Sequence, residues 1–194
     1  MKTESQGMIM HIKGGLLLYA GMMAALTGMA GMIKIPFYPV PLTLQTMMVY
    51  LSGNLLGSRW GMISQLVFLA VGLSGVPVFT NGGGPAYIAQ PTFGYLLAFP
   101  VAAFIAGTIT RSAGMRRLSI FGINMAGAVV IICMGAGYLF FHIRCIAGKT
   151  MEPNAIVWSA AGMFIPGEIL KAGMAAWLTW RIRPHFRSAQ GRGP

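Results

Sequence analysis

Six long apolar runs, at about 15–33, 42–58, 60–79, 93–110, 118–141 and 155–181, leave this chain few ways to fold. Each is near the ~20 residues that a helix needs to cross hydrocarbon. None shows the two-residue alternation of a barrel strand, and in lipid only helices or closed barrels satisfy the backbone internally. Charged residues make up only 9% of the 194 positions, against about a quarter in an average soluble domain. The pattern predicts an all-α integral membrane protein, a six-transmembrane-helix bundle built as one domain over 1–182 with a basic cytoplasmic tail at 183–194. The first run follows about a dozen mostly polar residues and is too long for a signal-peptide core, so it is expected to stay as a span. The second and third runs are separated only by Gly57-Ser-Arg-Trp-Gly61, which predicts a tight helical hairpin or tilted, re-entrant segments.

The net charge of +11 follows from topology rather than from nucleic acid. With six crossings and a cytoplasmic N-terminus, ten cations fall inside: Lys2, Lys13, Arg59, Arg111, Arg116, Arg117, Arg181, Arg183, Arg187 and Arg192. Three fall outside, Lys34, Arg144 and Lys149. Positively charged short loops resist translocation, so both termini are expected in the cytoplasm. Trp60, Trp177 and Trp180 stand beside arginines at the same ends, as an interfacial aromatic belt places them. The tail from Arg183 has no apolar face and is read as disordered or surface-bound.

Lys171 is the one cation left inside a run, and Glu168 stands three residues before it. A charge at the bilayer centre costs roughly 2.5 to more than 10 kcal/mol, so such residues usually face a cavity and a partner. Three-residue spacing puts both on nearly one helix face. Pro166 and Gly167 come immediately before and predict a break, with Glu168 in the first turn after it, where the positive end of the downstream helix favours a carboxylate.

A second candidate is the segment from Val76 to Tyr95, rich in Gly and Pro and free of charge. It carries Phe79, Asn81, Tyr87, Gln90, Thr92 and Tyr95, neutral polar groups among aromatic rings that suit a small uncharged polar ring. Its three glycines are followed by no Gly-Lys-Ser/Thr and form no phosphate loop. Prolines at 36, 39 and 41 impose an extended entry into the second run, after which Thr43, Gln45 and Thr46 either line a cavity or bond to neighbouring backbone. In the first run Gly21 and Ala25, and likewise Ala20, Ala24 and Gly28, recur at four-residue spacing and make smooth faces that another helix can approach, within the chain or on a partner.

His11, His142 and His185 lie near ends or loops and assemble no hydrolytic triad or metal cluster; no metal or cofactor is expected, and Cys133 and Cys145 are read as neither disulfide nor ligand.

Several ordered blocks give the chain a family resemblance: Ile35-Pro-Phe-Tyr-Pro-Val-Pro-Leu-Thr-Leu-Gln-Thr46, Leu51-Ser-Gly-Asn-Leu-Leu-Gly-Ser-Arg-Trp-Gly61, Gly75-Val-Pro-Val-Phe79, Pro91-Thr-Phe-Gly-Tyr-Leu-Leu-Ala-Phe99 and Phe164-Ile-Pro-Gly-Glu-Ile-Leu-Lys171. In these it resembles the BioY proteins, the biotin-binding S components of energy-coupling-factor (ECF) vitamin transporters. The resemblance implies a six-helix membrane protein of a bacterial plasma membrane that is not an enzyme, with an extracellular-side vitamin pocket bounded by the third loop and the last three helices. It also implies partners, a transmembrane coupling T protein and two ATPase subunits. The family typically has aspartate where this chain has Glu168, and often glycine where it has Gln90.

Carried onto these positions, Glu168 accepts from the ureido N–H groups of biotin, Asn81 or Gln90 donates and accepts, and Lys171 either holds Glu168 ionised or donates to the ligand. Phe79, Tyr87 and Tyr95 cover the thioether ring, with Thr92 beside them. Ala20, Ala24 and Gly28 are the expected docking surface. Two other readings are an S component for a related small vitamin and an intramembrane enzyme using Glu168 as acid or base.

Overall fold

A computed structural model of the protein describes residues 2–35, 41–108, 116–146, 162 and 164–189. Among them are six α-helices: α1 Lys2–Ala30, α2 Gln45–Leu56, α3 Ser58–Leu73, α4 Phe93–Gly107, α5 Arg117–Phe141 and α6 Phe164–Ala189. A two-stranded ribbon, β1 Lys34–Ile35 antiparallel to β2 Leu42–Thr43, ties the end of α1 to the start of α2. A 3₁₀ turn at Pro85–Ala89 precedes α4, and a π-helical turn at His142–Ile146 continues α5. The fold is thus all-helical but for the short ribbon.

Helices α2, α3 and α4 are shorter than the runs that predict them, whereas α1 and α5 are longer. Among the described residues, one stretch, Arg117–Cys145, is long and apolar enough to cross a membrane; Gly15–Ala30, Ser58–Leu73 and Phe93–Gly107 are shorter apolar helices. The second run gives only 12 helical residues, because its entry is the ribbon and its end is Gly57. Gly57 alone separates α2 from α3, at φ 86°, a conformation that residues with a Cβ rarely adopt. This confirms a tight hairpin. Near it, backbones touch: a Cβ on Gly61 would stand 2.6 Å from Gly53 Cα, and one on Gly107 would collide with the backbone of Gly57 and Ser58.

The break expected at Pro166 falls at the edge of the described residues: Pro166 lies in the first turn of α6, where a missing N–H forfeits no intrahelical bond, and residues 155–161 and 163, the upstream part of that run, lie outside the described residues. Glu168 therefore stands near the start of α6. The helix does not stop at Arg183: α6 runs on to Ala189 with Pro184 inside it, and Arg183 is buried, while residues 190–194 lie outside the described residues. A single interior proline removes one backbone bond and need not end a helix that is anchored on one side.

Polarity is inverted relative to a soluble domain. Leu17, Leu18, Met29, Leu118, Leu170 and Trp177 are exposed, whereas Thr27, Ser52, Asn54, Ser64, Gln65, Asn124 and Thr179 are wholly buried. Two networks account for these. Gln65 Nε2 has Ser52 Oγ, Ser64 Oγ and Thr27 Oγ1 within reach of its two N–H donors at 3.1, 3.0 and 3.3 Å, joining α1, α2 and α3. Asn54 Nδ2 donates to Asn124 Oδ1 and Thr179 Oγ1, and Asn124 Nδ2 to the Ala172 carbonyl, joining α2, α5 and α6. Buried polar groups bonded between helices, with apolar residues outside, are what helix association in lipid selects. At the far end of α6 the Arg117 guanidinium stacks 3.8 Å over the Trp180 ring, and Arg181 lies 5.5 Å from that of Trp177.

Candidate functional site

The start of α6 delivers Phe164, Glu168 and Lys171 to a cavity partly open to the outside, whose empty space is about 530 Å³ with the open solvent at its mouth included. The approach to α2 supplies Pro41, Thr43, Gln45 and Thr46; the loop supplies Thr80, Tyr87 and Thr92; α4 adds Tyr95, Leu96 and Phe99, and α5 adds Ile131 and Ile132.

Glu168 and Lys171 are 2% and 4% exposed, so each needs partners within the protein. Glu168 Oε1 accepts from Lys171 Nζ at 2.5 Å and from Thr46 Oγ1 at 3.0 Å, and Oε2 accepts from the Tyr50 hydroxyl at 2.6 Å. Lys171 Nζ also donates to the Thr43 carbonyl at 3.2 Å. A carboxylate has about four lone-pair positions and an ammonium three donors, so these bonds leave room for one more donor at Oε2 and one more acceptor at Nζ. The site offers an acceptor and a donor side by side, already fixed by α2.

Thr46 and Tyr50 lie one helical turn apart on α2 and so reach the same carboxylate. Gln45 is also buried; its Oε1 accepts from Thr43 Oγ1 and Thr80 Oγ1 at 3.4 and 3.2 Å, while Nε2 has no partner among the described residues. Across the cavity the Tyr95 ring stacks on Phe164 with centroids 5.6 Å apart. Gly135 makes this possible, because any Cβ there would collide with the Tyr95 ring.

Of the residues expected at the site, Glu168, Lys171, Tyr87, Thr92 and Tyr95 line the cavity. Phe79 is buried one layer back, its ring 4.6 Å from Tyr87 and 5.4 Å from Phe68, and supports the Tyr87 face from behind. Asn81 and Gln90 are exposed and stand outside the cavity wall. The Phe79–Gly82 bridge puts Asn81 at the tip of a turn, and Gln90 closes the 3₁₀ turn. The docking expectation is corrected too. Ala20, Ala24 and Gly28 are buried inside the chain, with Gly28 against Val78, while Gly21 and Ala25 on the other side of α1 are exposed. One smooth face packs internally and the other is open.

Thr43, Gln45 and Thr46, left between two roles by the sequence, prove to be cavity residues. Tyr50 carried no signal beyond its place one turn from Thr46, and Ile131, Ile132, Leu96 and Phe99 none, being apolar residues in apolar runs. Cys133 and Cys145 are free and exposed.

The chain is similar to known proteins. The chain is 45% identical over 175 residues to a probable biotin transporter BioY of Lysinibacillus sphaericus, covering 90% of this chain and 89% of that one. It is 35% identical over 170 residues to the biotin transporter BioY of Rhizobium etli, covering 83% and 87%. The structure superposes with a TM-score of 0.76 on the crystal structure of an S-component for biotin from an ECF-type ABC transporter, at 31% identity over 88% of this chain and 92% of that one. The profile of the BioY family matches residues 3–188, and the chain belongs to that family.

Proposed function

We propose that this chain is the membrane-embedded substrate-binding component of a biotin uptake system, holding biotin against Glu168 and Lys171. The observation that carries the reading is the pair's remaining capacity. A cyclic urea presents an N–H donor next to a carbonyl acceptor, and the free positions on Oε2 of Glu168 and Nζ of Lys171 match that order. Tyr87, Tyr95 and Phe164 offer aromatic surface for the thioether ring. The relatives are biotin transporters, which favours binding and release over acid–base catalysis by Glu168.

All six helices cross the membrane in this reading. The excess of cations supports a cytoplasmic position for both termini and an outer position for the pocket, since the cavity is at the start of α6 and the Arg–Trp pairs are near its other end. The chain carries no ATP-binding motif, so accumulation draws on an ECF module of a coupling protein and two ATPases. Gly21 and Ala25 are the exposed small-residue face on which α1 meets the coupling protein.

Equilibrium binding of labelled biotin to the purified protein tests the pocket: saturable binding that Glu168→Ala abolishes is expected, and equal binding by that variant would sink the assignment. Co-purification with coupling subunits tests the partnership.

A further inference from the structure

Among the described residues, no acidic group neutralises the positive charge of Lys34. The sequence holds three acidic residues, and Glu168, the one whose side chain is described, is committed to Lys171. Lys34 Nζ instead donates to neutral groups, the Thr80 carbonyl at 2.9 Å and Asn81 Oδ1 at 3.5 Å. Thr80 lines the cavity. Thr43, directly opposite Lys34 in the β1–β2 ribbon, lines it too. Directly paired residues of an antiparallel ladder project their side chains from the same face. The Lys34 stem thus leaves the ribbon on the side where Thr43 meets the cavity, and its ammonium ends on the backbone of another wall residue. The residue itself is exposed, so the charge sits at the mouth rather than in the depth.

Resting on the biotin reading, we infer that Lys34 determines specificity for an anionic ligand, pairing with the carboxylate of the tail while Glu168 and Lys171 hold the ring. Within the cavity the ion pair has no net charge to offer a carboxylate. Both present partners of Lys34 are neutral acceptors, and an exposed lysine stem is long and flexible, so exchanging one of them for a carboxylate requires no rearrangement of the fold. Exposure limits the effect to a few-fold in affinity, reduced further by salt.

Affinities of biotin and of biotinamide, which keeps the ring and tail but replaces the carboxylate with a neutral amide, test this on the purified full-length protein. Wild type is expected to bind biotin about fivefold more tightly at low ionic strength, with the preference shrinking in high salt. Lys34→Gln should bind both compounds with the affinity wild type shows for the amide, and Lys34→Arg should restore the preference. If Lys34→Gln keeps the preference, or weakens both compounds by one factor, the inference fails, since Lys34 would then be only an anchor for the loop at Thr80. Equal binding of the two by wild type overturns it as well. Binding of neither compound to wild type would overturn the biotin reading itself and this inference with it.

Discussion

The Tyr50 hydroxyl donates to Oε2 of Glu168 at 2.6 Å, so the acid of the last helix is positioned by the second. Hydrogen bonds to charged groups contribute about 1.5–3 kcal/mol. Removing this one by Tyr50→Phe leaves the ring in place but frees the carboxylate to rotate. Biotin affinity should fall about tenfold and stability by about 1.5–3 kcal/mol, measured by titration and by unfolding in detergent. Loss of stability with affinity unchanged would make Tyr50 a packing residue only.

Lys171→Met should be more harmful to folding than loss of the whole pair. The single change leaves a buried carboxylate without its counter-ion, a cost of about 3–5 kcal/mol, whereas Glu168→Gln with Lys171→Met removes both charges. The double variant is expected to melt close to wild type yet bind no biotin. Melting curves of the three proteins check the order.

Gly135→Ala adds one methyl group where the Tyr95 ring lies. The ring must swing away from Phe164, which opens one wall of the cavity. Off-rotamer strain of this kind costs about 1–3 kcal/mol. Biotin binding should weaken, and Tyr95→Ala in the same chain should relieve the stability loss without restoring affinity. An unchanged melting temperature for Gly135→Ala would contradict the packing described.

Leucine on the two faces of α1 should separate assembly from folding. Ala25→Leu adds bulk to an exposed face, so biotin binding by the isolated protein should persist while co-purification with the coupling subunits is lost. Ala24→Leu overfills a buried face and should lower stability before either function is measured. If Ala25→Leu assembles normally, docking lies elsewhere.

These contrasts show how far the sequence could be read. Glu168 and Lys171 stood out because charge in an apolar run demands a cavity, and the structure supplies one. Thr46 and Tyr50 did not, because hydroxyls in such helices are often satisfied by their own backbone, as Ser52 is by the Val49 carbonyl. Only the crossing of α2 with α6 distinguishes the two cases. Asn81 and Gln90 had suitable chemistry, but their placement depended on the Phe79–Gly82 bridge for the first and the end of the 3₁₀ turn for the second, neither of which composition reveals. Ala20, Ala24 and Gly28 had the right spacing for a docking face, and so did Gly21 and Ala25; spacing finds smooth faces without saying which is covered. Helix ends were misplaced where Gly57 and the ribbon cut an apolar run short, since hydropathy does not register a positive φ.

The glycines at 53, 61 and 107 meet neighbouring backbone, which cannot swing aside as a side chain can. Even alanine is excluded there, whatever the protein is asked to carry. A saturation screen for transport would therefore mark this crossing as intolerant as strongly as Glu168. Ranking positions by intolerance alone would draw a second site where there is only a joint, and a parallel readout of protein abundance is needed to tell the two apart.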